Sequence, residues 1–143
     1  MTKIKYLIPF YIAILLYLTS LMTVYFYNGS EEHLGIVMLL LGWLTGINDI
    51  FTFIAWFANI TFIMAILSVA KRKKAPKVMR GLILSGITLV FGLCGFLMGT
   101  IDSESASTTM ANGSFGLGFY IWVLSFVAMF ISMYLRFKSK KAS

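Results

Sequence analysis

The chain has 143 residues, of which 59% are hydrophobic and only 12% charged, with a formal net charge of +7. A soluble domain carries about a quarter charged residues, so this composition excludes an ordinary soluble fold. The basic excess does not mark a nucleic-acid site either, because the Lys and Arg residues fall in three groups, at 3–5, 71–80 and 136–141, while the five acids (Glu31, Glu32, Asp49, Asp102 and Glu104) occupy the segments between. That alternation is the positive-inside pattern of a multi-pass membrane protein, with a weak contact to anionic lipid as its plain by-product.

Residues 6–27 form the first apolar run, free of Asp, Glu, Lys, Arg and His. About 20 apolar residues cross a hydrocarbon core of roughly 30 Å as a helix. Helix is the conformation that satisfies its own backbone hydrogen bonds in lipid, and the run lacks the alternation of a membrane barrel strand. Lys3 and Lys5 give it the basic start of a signal peptide, but Tyr25, Phe26 and Tyr27 stand where small residues would precede a cleavage site. The run reads as a retained anchor.

Asn28-Gly29-Ser30 is a turn sequence that also matches the glycosylation acceptor pattern, as does Asn112-Gly113-Ser114. Residues 33–47 are apolar but short, and runs of about 10–14 residues lie in the interface or re-enter. If Leu34–Ile47 crossed as well, ten of the twelve basic residues would stand on the wrong side. The segment therefore reads as an interfacial or re-entrant helix on the outer side. Residues 50–70 form the second span, 71–80 a cytoplasmic basic loop, 81–100 the third span, 101–117 an outer loop, 118–135 the fourth span and 136–143 a cytoplasmic tail. Gly113, Gly116 and Gly118 read as part of a flexible loop before the fourth span. The expected fold is an all-α integral membrane protein: a four-transmembrane-helix bundle with an extra interfacial or re-entrant helix between helices 1 and 2. Both termini are cytoplasmic, and the expected location is the inner (plasma) membrane.

Gly81, Ser85, Thr88, Gly92, Gly95 and Gly99 follow one another at steps of 4, 3, 4, 3 and 4, which places them on one helical stripe. Small residues on a stripe let membrane helices approach closely, so the third span is expected at the centre of the bundle. Asn59 is the one strongly polar side chain deep in a span. An unpaired amide in lipid costs several kcal/mol, so it requires a partner, for which Thr88 or Ser125 is the expectation. Interhelical glue is the plainer role for Asn59, and a polar gate the sharper one.

Little else carries chemistry. His33 is the single histidine, beside Glu31 and Glu32, and a solvated loop accounts for it better than a weak metal site. Cys94 is the single cysteine, placed in an apolar span that should keep its thiol inert. No nucleophile set, phosphate-cradling loop, metal site or cofactor site is expected. The spans contain no ionisable residue, whereas transporters and proton relays usually keep one, and no Pro-broken pair of spans builds a midplane site.

Trp56-Phe57-Ala58-Asn59 in the second span and Gly118-Phe119-Tyr120-Ile121-Trp122 at the fourth resemble a group of small, uncharacterised bacterial four-span proteins with a W-x-A-N-P-like and a G-Y-x-L-W-like segment. The chain departs from that pattern at Ile60, where proline would stand. The resemblance implies topology and no activity. The expected function is a non-enzymatic interaction role, as an accessory subunit or toxin-immunity-type protein with a membrane or periplasmic protein partner. The working surface would be the outer face: residues 28–49, which include the candidate Asp49, loop 101–117, and the aromatic rim of Trp43, Trp56, Tyr120 and Trp122. An interfacial aromatic belt is the plain alternative for each of these aromatics. The alternative function is a homo-oligomeric channel or carrier for a neutral or lipidic molecule, using Asn59, Thr61, Ser85 and Thr88. A lipid enzyme built from His33, Asp49 and Asp102 ranks last.

Overall fold

The structure is a computed structural model that describes residues 2–28, 31–45, 47, 50–70, 75–97 and 114–141. Five α-helices follow in chain order: α1 (Thr2–Met22), α2 (Gly35–Thr45), α3 (Ile50–Ala70), α4 (Ala75–Cys94) and α5 (Leu117–Lys141). Three short strands, β1 (Val24–Asn28), β2 (Glu31–Leu34) and β3 (Ser114–Phe115), form one antiparallel sheet in the order β2-β1-β3. Three stretches are long and apolar enough to cross a membrane: Ile50–Ser68, Val78–Leu97 and Leu117–Ser139. Tyr6–Met22 and Gly35–Leu44 are shorter apolar helices.

The first helix ends earlier than residue 27. Thr23 Oγ1 bonds back to the carbonyls of Thr19 and Ser20, and the Gly35 N–H bonds to the Thr23 carbonyl, so the helix end is satisfied at that point. Residues 24–27, Val-Tyr-Phe-Tyr, then form a strand, as β-branched and aromatic residues favour. Asn28 pairs with Glu31, so residues 29 and 30 join the two strands of a hairpin. His33 and Leu34 belong to β2, and α2 starts only at Gly35. The expected basic loop is partly helix, because Pro76 falls in the first turn of α4, where its missing N–H costs nothing. The third long helix gives way after Cys94 to a 3-10 turn over Gly95–Leu97. The last helix runs on through the basic tail to Lys141. Asp49, Gly99 and residues 71–74 and 101–113 lie outside the described residues.

α1 lies along α5, α5 against α4, and α4 along α3. The third span is not the centre. Half of Leu117–Ser139 is buried, against 28% of Val78–Leu97. The reason is a division of labour between small and large residues. The α4 stripe does face inward, with Gly81, Ser85, Thr88, Gly92 and Gly95 all buried, but it forms a slot. The bulk that fills the core comes from α5, whose Phe119, Trp122, Phe126, Met129 and Met133 are buried at steps of three and four. A Cβ on Gly92 would stand 2.5 Å from the Phe126 ring, and one on Gly81 would stand 2.5 Å from Ser68 Oγ and 3.1 Å from Met133 Sδ.

The sheet is tied to the bundle by glycines. A Cβ on Gly35 would run into the Ser20 carbonyl, and one on Gly116 into the Val24 carbonyl. Gly116 also donates its N–H to the Tyr25 carbonyl at 2.9 Å. Gly116 and Gly118 are thus tightly packed, not members of a flexible loop.

Candidate functional site

α1 and α3 do not run backbone to backbone; large side chains fill the seam between them. On α1, Phe10, Ala13, Tyr17 and Ser20 recur at steps of 3, 4 and 3, and all four are buried. On α3, Thr52, Ala55, Ala58, Asn59 and Phe62 are buried facing them and α5. Asn59 stands nine residues past the start of α3, about 13 Å along the helix axis.

Its amide oxygen accepts two hydrogen bonds, from the Tyr17 hydroxyl at 3.0 Å and from Trp122 Nε1 at 2.9 Å. Its Nδ2 donates to the Trp56 carbonyl at 3.0 Å. An indole N–H can only donate, so the atom facing Trp122 must be the oxygen, which fixes the orientation of the amide. The rings close a circuit around it. Tyr17 stacks on Phe62 with centroids 4.6 Å apart, Phe62 meets Phe126 at 5.3 Å, and Phe126 meets Trp122 edge-on at 4.5 Å. One asparagine therefore joins α1, α3 and α5 through hydrogen bonds, and four rings join the same helices through dispersion.

The partners expected for Asn59 lie elsewhere. Thr88 Oγ1 is 2.8 Å from Thr61 Oγ1 and 2.8 Å from its own helix at the Leu84 carbonyl. Ser125 donates to the Trp122 carbonyl and Ser85 to the Leu82 carbonyl. Trp56, expected at an aromatic rim, points its indole N–H at the Leu39 carbonyl of α2 at 2.8 Å, and its ring lies 3.0 Å from where a Gly42 Cβ would stand. Of the three tryptophans, Trp43 on α2 is the exposed one, at 43%. Gly42 and Trp56 thus seat α2 on α3, as Gly35 seats it on α1.

Beside Asn59, α1, α2 and α3 border a partly open cavity of about 20 Å³. Its wall includes Ser20, Thr52, Asn59 and Trp122, all buried polar-tipped residues, with Ala55 and Trp56, and α2 contributes Met38, Leu39 and Gly42. Tyr25 of β1 also borders it; burial raises its phenol above the ordinary tyrosine range, with a smaller contribution from Tyr17. Among the described residues no buried side-chain nitrogen or oxygen lacks a hydrogen-bond partner, and no three His, Cys, Asp or Glu residues gather in one place. Cys94 is half-buried at the end of α4. Among the described residues the site offers neutral donors and acceptors, with no charged side chain.

Sequence reasoning singled out Asn59, Trp56 and Trp122 but missed Tyr17, Ser20 and Thr52. The one signal for Tyr17 and Ser20 was their place on the Phe10–Ala13 stripe. The two segments that carried the family resemblance do meet, at the Asn59–Trp122 hydrogen bond. No protein-family model, no curated protein and no solved structure matches the chain.

Proposed function

We propose that the chain is a four-span membrane protein of the bacterial inner membrane that works as a non-enzymatic interaction protein, an accessory subunit or toxin-immunity-type protein, through its outer face. α1 counts as the fourth span in this reading: its apolar stretch Tyr6–Met22 reaches about 25 Å, with Lys3 and Lys5 at the headgroup level. The basic segments then lie in the cytoplasm, and the sheet with α2 lies outside, α2 resting in the outer interface. The observation that carries the reading is the sheet. β1 and β2 from the first outer segment and β3 from the second pair into one unit, seated on the bundle by Gly35, Gly116 and Gly118. Two separate outer segments thereby become one fixed surface. In the register, Glu32, Tyr27 and Ser114 form one row across it, with Glu32 and Ser114 exposed, while His33, Phe26 and Phe115 form the next row, with Phe26 buried. Trp43 and Tyr120 add exposed aromatics.

The polar groups that a channel or carrier would need are engaged with one another or with backbone. Asn59, Thr61 and Thr88 hydrogen-bond across helices, and Ser85 bonds within its own. This favours the interaction reading over a homo-oligomeric pore. The test is complementation of a deletion strain. A Glu32→Lys/Trp43→Ala/Tyr120→Ala triple variant should accumulate normally and fail to rescue. Full rescue by that variant removes the outer face from the function.

A further inference from the structure

We propose that the cavity beside Asn59 is a binding site for one neutral hydroxyl group, supplied by a water molecule or by the alcohol of an uncharged amphiphile. This goes beyond the outer-face reading and does not depend on it. The first ground is size. A cavity needs about 10–15 Å³ to hold one water, and this one has about 20 Å³, which is room for one O–H group.

The second ground is the hydrogen-bond inventory of the wall. Asn59 Oδ1 already takes two donors, and the Trp56 carbonyl takes one of the two Nδ2 hydrogens. One N–H of the amide remains to be given. Ser20 spends its proton on the Tyr17 carbonyl at 2.7 Å, which leaves its oxygen lone pairs as acceptors. The indole hydrogens of Trp56 and Trp122 are both committed. Beside the Tyr25 and Thr52 hydroxyls, the wall therefore presents a neutral donor on Asn59 and a neutral acceptor on Ser20, and a hydroxyl is a group that answers both at once.

The third ground is charge and position. Among the described residues no Asp, Glu, Lys, Arg or His lines the cavity, so an ionised ligand would find no counter-charge in this wall. The site sits where α1 and α3 are held apart by side chains and α2 packs against both.

The test is NMR cross-relaxation on isotope-labelled protein in two kinds of nanodisc. One contains only phosphatidylcholine, which has no hydroxyl; the other also contains dioctanoylglycerol. The expected result is a long-lived contact between the Asn59 side-chain amide and water in the first disc. In the second, replacement of that contact by glycerol hydrogens assigns the site to an amphiphile alcohol, and persistence of water assigns it to water. Contact with neither overturns the proposal. An Ala55→Val variant gives a second, independent sign, because the added methyls fill the space without touching the Asn59 hydrogen bonds. Filling a hydrated site strands the amide N–H, so the contact should vanish and the unfolding midpoint should fall. A midpoint that rises marks a dry void and overturns the proposal as well.

Discussion

Two seams of the bundle are built on opposite principles. Along α4, small residues make room for close packing, and the bare Gly92 admits the Phe126 ring where a Cβ would collide with it. Between α1 and α3 the backbones stay apart, and Tyr17, Phe62 and Asn59 bridge the gap. Lipid tails are as apolar as leucine, so the bilayer supplies no hydrophobic drive for either seam. Close contact supplies dispersion in the first, and hydrogen bonds with ring stacking supply cohesion in the second. The first seam is intolerant of added volume and the second of removed atoms.

The comparison is tested most severely at Gly92. Gly92→Leu should abolish accumulation of folded protein, and Gly92→Ala should cost about 1–3 kcal/mol through overpacking, measured by reversible unfolding in detergent. A Gly92→Leu protein that folds like the parent would erase the first seam. At the second seam, Phe62→Ala should cost about 3 kcal/mol, near the lower end for a buried aromatic, because lipid rather than water is the reference. Asn59→Leu strands the Tyr17 hydroxyl and the Trp122 indole N–H and should cost about 1–3 kcal/mol, with a blue-shifted Trp122 emission as its spectroscopic mark. Tyr17→Phe removes one hydrogen bond and keeps the ring, so its expected cost is the smallest, about 0.6 kcal/mol. If Tyr17→Phe proved worse than Gly92→Ala, the two seams would have to exchange descriptions.

The sequence was most legible where one physical demand acted alone. Residues 50–70 coincide with α3 because an uncharged run of that length has few other options in a membrane. Asn59 stood out because an amide in lipid demands a partner. Residues 24–27 were not legible as a strand, since Val, Tyr and Phe suit both a lipid-facing helix and a sheet, and the choice was made by Gly35 and Gly116 arriving from elsewhere in the chain. The small-residue stripe of α4 was visible, but its role as a slot was not, because that depends on what α5 inserts into it. The partners of Asn59 were misread for the same reason. Thr88 lies on the neighbouring helix, yet it faces Thr61, and only the packed bundle shows Trp122 reaching the amide.

The pairing of α1 with α5 has a consequence for biogenesis. α1 takes as its lengthwise neighbour a helix that is synthesised well after it. Ser132, late in α5, closes this pairing by donating to the Tyr6 carbonyl at 2.7 Å, close to Pro9, whose ring interrupts the helix's own ladder. Until α5 is made, α1 can meet α2 and α3, with Tyr17 reaching Asn59, but its long contact with α5 and the pairing of β1 with β3 are missing. A nascent chain halted before residue 114 would therefore hold α1 by the Tyr17–Asn59 contact and β1 by β2 alone, without the α5 flank that closes the bundle.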